Sequence, residues 1–120
     1  MAVNSYRDLL VWQQAMEMVT SIYKVTDCWP KEEIYGLTSQ VRRAAVSVPA
    51  NIAEGFGREN RGSYQQFLRI AQGSLKEMET HLLIAERLGF MQNETINSML
   101  VKSESIGKLL RLLIRKLSDQ

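Results

Sequence analysis

Between Gly36 and Arg58 the polar residues Gln40, Arg43, Ser47, Asn51, Glu54 and Arg58 recur at steps of three and four, the spacing that aligns side chains along one side of an α-helix. Further on, Gln65, Arg69, Gln72 and Lys76 repeat that step. Cations aligned in this way hold phosphate groups, each contact adding affinity that salt weakens. The candidate nucleic-acid-binding residues are therefore Arg42, Arg43, Arg58, Arg61, Arg69 and Lys76. Gln40, Ser47, Asn51 and Glu54 are candidates for a polar network inside the fold or between subunits. Few aromatic residues are interleaved with these charges, so a platform for stacking single-stranded bases is not expected.

Other reactive residue types lead to no comparable arrangement. His81 is the only histidine and Cys28 the only cysteine, so neither a histidine–cysteine metal site nor an intramolecular disulfide is available, and no metal or cofactor is expected. All-helical ribonucleases of the HEPN family place an arginine four to six residues before their histidine; here Lys76 stands in that window and no arginine does. Glu54 has Arg58 four residues on, and a carboxylate held by a guanidinium stays ionised and accepts a proton poorly near neutral pH. Gly55, Phe56 and Gly57 have the look of an opening dinucleotide loop, but no strand precedes them and Asn60 stands where a third glycine belongs; the segment reads as a helix end. No enzyme is expected.

The elements that position these residues follow from the apolar pattern. In helix two, Leu37, Val41, Ala44, Ala45, Val48, Ile52 and Phe56 form the side to be buried. Pro49 lies inside that pattern and lacks the amide that would bond to the Ala45 carbonyl, which predicts a kink. Gly55 and Gly57 are expected to close the helix in a left-handed conformation. Helix one runs from Asp8, at its first turn, to about Thr26, with Trp12, Ala15, Met16, Val19, Ile22 and Tyr23 as its stripe. Helix three opens with Ser63 as cap and carries Tyr64, Phe67, Leu68, Ala71, Leu75, Met78, Leu82, Ala85 and Leu88 until Gly89 ends it. Helix four follows Gln92 or Asn93 and reaches about Leu117, with Ile96, Met99, Ile106, Leu110 and Leu113 facing inward and Lys108, Arg111, Arg115 and Lys116 near its end.

The short polar connection from Gly57 to Gly62 makes helices two and three antiparallel neighbours. Counting equal rises away from that turn sets Asn51 level with Arg69 and Arg43 level with Lys76, so the two polar rows are expected to face each other. The expected fold is an all-α, up-and-down antiparallel four-helix bundle, a single domain over residues 1–120, with helix two kinked at Pro49. Leu83, Ile84, Leu112 and Ile114 fall beside the inward stripes; apolar coverage wider than a monomeric core uses points to burial against another subunit.

Composition narrows the function classes. At 45% hydrophobic and 23% charged residues the chain is ordinary for a globular domain. The net charge is only +2, but Gly36 to Lys76 holds six basic and two acidic residues, a local surplus that suits a polyanion. No apolar run approaches the ~20 residues that span a bilayer, and the start lacks a secretory leader pattern. With one unpaired cysteine, a cytoplasmic protein without membrane contact is expected. The leading expectation is a non-enzymatic, self-associating helical bundle that binds RNA, DNA or a ribonucleoprotein through a basic face. The alternative is a structural or adaptor protein whose polar rows form subunit or protein contacts.

Three segments carry a resemblance: DLLVWQQAMEMVTSIY, IYGLTSQVRRAAVSVPANIAEGFGR and YQQFLRIAQGSLKEMETHLLIAERLGF. Together, and through the RRAA and NIAEG motifs at Arg42–Ala45 and Asn51–Gly55, they resemble the 23S rRNA-intervening sequence proteins, also called four helix bundle proteins. The resemblance implies a left-turning up-and-down four-helix bundle in the bacterial cytoplasm, arranged as a ring-shaped homopentamer, with no general catalytic role. It also implies kinship with an accessory protein of diversity-generating retroelements, a basic pentameric barrel that engages nucleic acid and a reverse transcriptase.

Overall fold

A computed structural model describes residues 3–119. The Arg7 amide donates to Ser5 Oγ at 3.1 Å and opens a 3-10 turn, Tyr6–Asp8, so Asp8 belongs to that turn and does not cap helix one. Helix α1 spans Leu10–Thr26 and buries Val11, Ala15, Met18, Ile22 and Thr26. This side is rotated from the expected stripe, leaving Met16 and Tyr23 exposed. Apolar residues surround most of α1, so periodicity alone does not select the side; packing against the other helices does.

A 3-10 turn, Lys31–Glu33, leads to α2, Leu37–Phe56. Its first turn is capped from behind: the Leu37 amide donates to Glu33 Oε1 at 3.0 Å, putting a carboxylate at the positive end of the helix dipole. Pro49 is buried within α2, which is continuous on both sides of it; the kink expected there is not seen as a break in the element. Helix α3, Arg61–Arg87, is capped by Asn60, whose Oδ1 accepts from the Ser63 amide at 2.7 Å; Ser63 is thus the donor, not the cap. Gly89, at φ +80°, closes the far end of α3, with its amide donating to the Glu86 carbonyl and the Phe90 amide to the Ala85 carbonyl. Helix α4 spans Asn93–Ser118.

Sequence neighbours pack together and α4 returns to α1, while the diagonal pairs stay apart. Cross-helix contacts run in opposite order along both pairs that α3 forms. Ser47 meets Ser74 while Gly55 meets Tyr64 and Phe67, and Gln65 meets Ser118 while Glu79 meets Ser103. The result is an up-and-down antiparallel bundle measuring 46 × 25 × 19 Å. Its core holds Ile22, Val41, Ile52, Leu68, Leu75, Met78, Leu82, Ile96, Ile106 and Leu110. The pair α2–α3 is the most intimate: Gly55 of α2 leaves no room for a methyl beside Phe67 and Tyr64, and the small residues Ala44, Ser47 and Ser74 lie where the two helices meet.

Gly55 marks the tightest point of that seam. A Cβ there would lie 2.9 Å from Phe67 Cβ and 3.1 Å from the Tyr64 carbonyl oxygen. Gly57 is right-handed, at φ −76°, so the expected left-handed closure of α2 by its two glycines does not occur. Tyr64 is half-buried at this junction, edge-on to Phe56 at 6.1 Å, and desolvation raises its phenol above the ordinary tyrosine value of 10.0. A raised folded value favours the neutral phenol in the native state, so this contribution to stability is complete below about pH 10 and is lost as pH rises through the folded value. Urea unfolding at a series of pH values from 8 to 11 is expected to show a decline above about pH 10 that is shallower in Tyr64→Phe; an identical decline in both proteins contradicts this assignment.

Candidate nucleic-acid interface

The candidate cations do not share one face. Arg42 turns toward α1: its Nε donates to Thr26 Oγ1 at 2.9 Å, its Nη2 meets Asp27 Oδ1 at 3.1 Å, and its guanidinium lies 4.6 Å over the Tyr23 ring. Arg58 lies 4.7 Å over the Phe67 ring with Glu54 Oε2 at 3.9 Å, the pairing expected from their spacing. Arg61 is exposed at the start of α3.

Arg43 lines an open cleft of ≈ 480 Å³ between α2 and α3, with Gln40, Ala44, Ser47, Ser74 and Glu77. Of the four residues expected to form a polar network, Ser47 and Asn51 are hydrogen-bonded here, Gln40 only lines the cleft, and Glu54 meets Arg58 instead. Ser47 and Ser74 are joined through their hydroxyls at 2.8 Å, and Asn51 Nδ2 donates to the Ser47 carbonyl and hydroxyl, both at 2.8 Å. Since these groups satisfy one another, they tie the two helices together. Glu77 holds His81 Nε2 at 3.4 Å. His81 is mostly buried, and its Nδ1 finds no partner among the described residues. Among the described residues there is also no group of three side chains suited to a metal ion, and no helix is long and apolar enough to cross a membrane.

Arg69 and Lys76 lie on the other side of α3. They line a groove of ≈ 400 Å³ with Gln72, Gly73, Leu75, and, from α4, Gly107 and Arg111. The expected meeting of the two polar rows therefore fails in azimuth. Gln65, at the head of the α3 row, donates to the Ile114 carbonyl at 3.1 Å and to Ser118 Oγ at 2.6 Å, which fixes that row against α4. Lys76 Nζ pairs with Glu79 Oε1 at 3.2 Å, and the other oxygen of Glu79 accepts from the buried Ser103 hydroxyl. Arg69 and Arg111 have no ion pair or hydrogen bond among the described residues.

Arg111, Gly73 and Gly107 are the members of this groove that the polar rows of α2 and α3 did not reveal. Arg111 follows Gly107 by one helical turn, and the glycine's missing side chain leaves room beside it. That pairing of a small residue with a cation at i+4 was the available signal.

The 23S rRNA-intervening sequence protein family matches residues 7–112. The chain belongs to this family. No curated protein matches it. Among solved structures, it is similar to a crystal structure of a protein of unknown function from the S23 ribosomal protein family of Bacteroides thetaiotaomicron. The two share 26% sequence identity with a TM-score of 0.79, over 88% of this chain and 98% of the other. The two chains thus share one architecture.

Proposed function

We propose that this family member is a cytoplasmic, non-enzymatic, self-associating bundle that binds nucleic acid, alone or within a ribonucleoprotein, through its phosphates. The observation that carries this reading is a surplus of uncompensated guanidinium groups. Arg43, Arg69, Arg87, Arg111 and Arg115 are all exposed, and none has an ion pair among the described residues. A ring of identical subunits, pentameric as the family resemblance implies, multiplies that surplus around its axis.

Self-association is supported by large apolar side chains outside the core. Val101 and Leu112 on α4 are 68% and 57% exposed, and Ile70, Leu83 and Ile84 face outward on α3, with Leu88 exposed just past its end. Light scattering on the purified protein is expected to give a mass several times that of one chain, falling on Val101→Glu with Leu112→Glu. A wild-type protein of single-chain mass overturns the assembly.

Fluorescence-anisotropy titrations with RNA and DNA at about 50 and 200 mM salt test the binding. For a protein that neutralises even two phosphates, that rise in salt weakens binding by about tenfold. No binding at the lower salt overturns the reading. A second reading, a structural adaptor, is favoured by Arg42 and Arg58, which are engaged within the chain. It predicts that replacing Arg43, Arg69 and Lys76 with alanine lowers the oligomer mass and leaves any affinity for nucleic acid unchanged.

A further inference from the structure

We infer that the phosphate seat is the groove between α3 and α4, with Arg69 and Arg111 as its principal ligands, Lys76 as a subordinate one, and a phosphodiester backbone, read without regard to base sequence, as its occupant. This inference rests on the nucleic-acid reading above and narrows it to one place.

Four observations separate this groove from the other basic positions. Cations enter it from both walls, Arg69 and Lys76 from α3 and Arg111 from α4, and no carboxylate lines it. By contrast, the cleft beside Arg43 includes Glu77. Both arginines are free of ion pairs among the described residues, whereas Arg42 and Arg58 stack on rings and meet carboxylates. Two glycines shape the concavity: a Cβ on Gly73 would meet nothing within 4 Å, and one on Gly107 would meet only Leu75 Cδ2 and Arg111 Nη1, both at 3.6 Å. Finally, no aromatic residue lines the groove. Bases therefore have nothing to stack on, which leaves charge and shape as the means of recognition.

Lys76 is subordinate because Glu79 holds it at 3.2 Å, and Glu79 is itself kept in place by the buried Ser103 hydroxyl. Removing the charge of Glu79 while retaining an acceptor for Ser103 releases Lys76 to the groove. Glu79→Gln is thus a gain-of-affinity variant.

The test is a set of anisotropy titrations of the full chain against an RNA and a DNA of mixed sequence across a salt series, with light scattering and thermal melts on each variant. Arg69→Ala and Arg111→Ala are each expected to weaken binding for all sequences and to reduce the slope of log affinity against log salt by about one. Gly73→Leu, which leaves every charge in place, is expected to obstruct the groove and weaken binding, whereas Gly73→Ala is not. Arg58→Ala is expected to bind as the unsubstituted protein does, Arg43→Ala to weaken binding by less than either groove arginine variant, and Glu79→Gln to bind more tightly.

A wild-type protein that binds no nucleic acid overturns the general reading and this one with it. Binding that falls as much in Arg43→Ala as in Arg69→Ala and Arg111→Ala, and is indifferent to Gly73→Leu, overturns the groove alone and leaves the general reading standing. Groove variants that lower the oligomer mass also overturn it, because the groove would then be covered by a second copy.

Discussion

Alanine in place of Gly55 is expected to lower the thermal midpoint by about 5–10 °C, although the same substitution in an open helix raises it. The added methyl would sit 2.9 Å from Phe67 Cβ, 3.0 Å from Tyr64 Cδ1 and 3.1 Å from the Tyr64 carbonyl oxygen. Of these, a backbone oxygen and a Cβ cannot swing aside; α2 and α3 must separate along their closest stretch. Overpacking of this kind costs about 1–3 kcal/mol, against which the better helix propensity of alanine returns somewhat under 1 kcal/mol. Gly73 supplies the contrast. It is exposed on α3, and a methyl added there would have nothing within 4 Å, so Gly73→Ala is expected to stabilise by about 0.5–1 kcal/mol. Circular-dichroism melts of the two variants check the pair. A Gly55→Ala protein melting at or above the unsubstituted chain would show that the α2–α3 seam is not limiting.

The same seam explains how much of the fold was legible. Periodicity gave the four helices, and the counting of rises placed α2 against α3 to within about a residue: Ser47 meets Ser74, and Asn51 is level with Ile70 instead of Arg69. Level along an axis depends only on chain length from the turn, which a sequence states directly. Azimuth depends on which of several apolar arcs the other helices select. In α1 the arc is so wide that Met16 and Tyr23 were indistinguishable from Val11 and Met18 until packing chose. In α3 the row Gln65, Arg69, Gln72 and Lys76 was correctly aligned with itself but assigned to the wrong neighbour. The caps failed for a related reason. Asn60, Glu33 and Ser5 act from just outside the apolar pattern, and a polar residue there looks like loop until its acceptor is seen to reach a helix amide.

Arg42 shows how a cation within a family motif can serve the fold, and its energetics separate it from the binding residues. Thr26 is buried, and its hydroxyl donates to the Ile22 carbonyl at 2.7 Å while accepting from Arg42 Nε at 2.9 Å. Thr26→Val keeps the shape but strands a mostly buried guanidinium donor, at an expected cost of about 1–2 kcal/mol. Arg42→Ala loses that bond together with the contact over Tyr23, at a similar cost, and Arg42→Lys recovers little because an ammonium cannot present the same planar fork. Asp27 is 77% exposed, so Asp27→Asn is expected to cost under about 0.5 kcal/mol despite the 3.1 Å contact.

A double-mutant cycle in urea therefore distinguishes the partners. Coupling between Thr26 and Arg42 is expected to be near 1 kcal/mol, and coupling between Asp27 and Arg42 close to zero. Larger coupling to Asp27 than to Thr26 would make the ion pair, not the buried hydroxyl, the tie between α1 and α2. In either case Arg42→Ala, assayed well below its melting temperature, should bind nucleic acid as the unsubstituted protein does, since its charge is directed at α1 and lies away from the groove that holds Arg69 and Arg111.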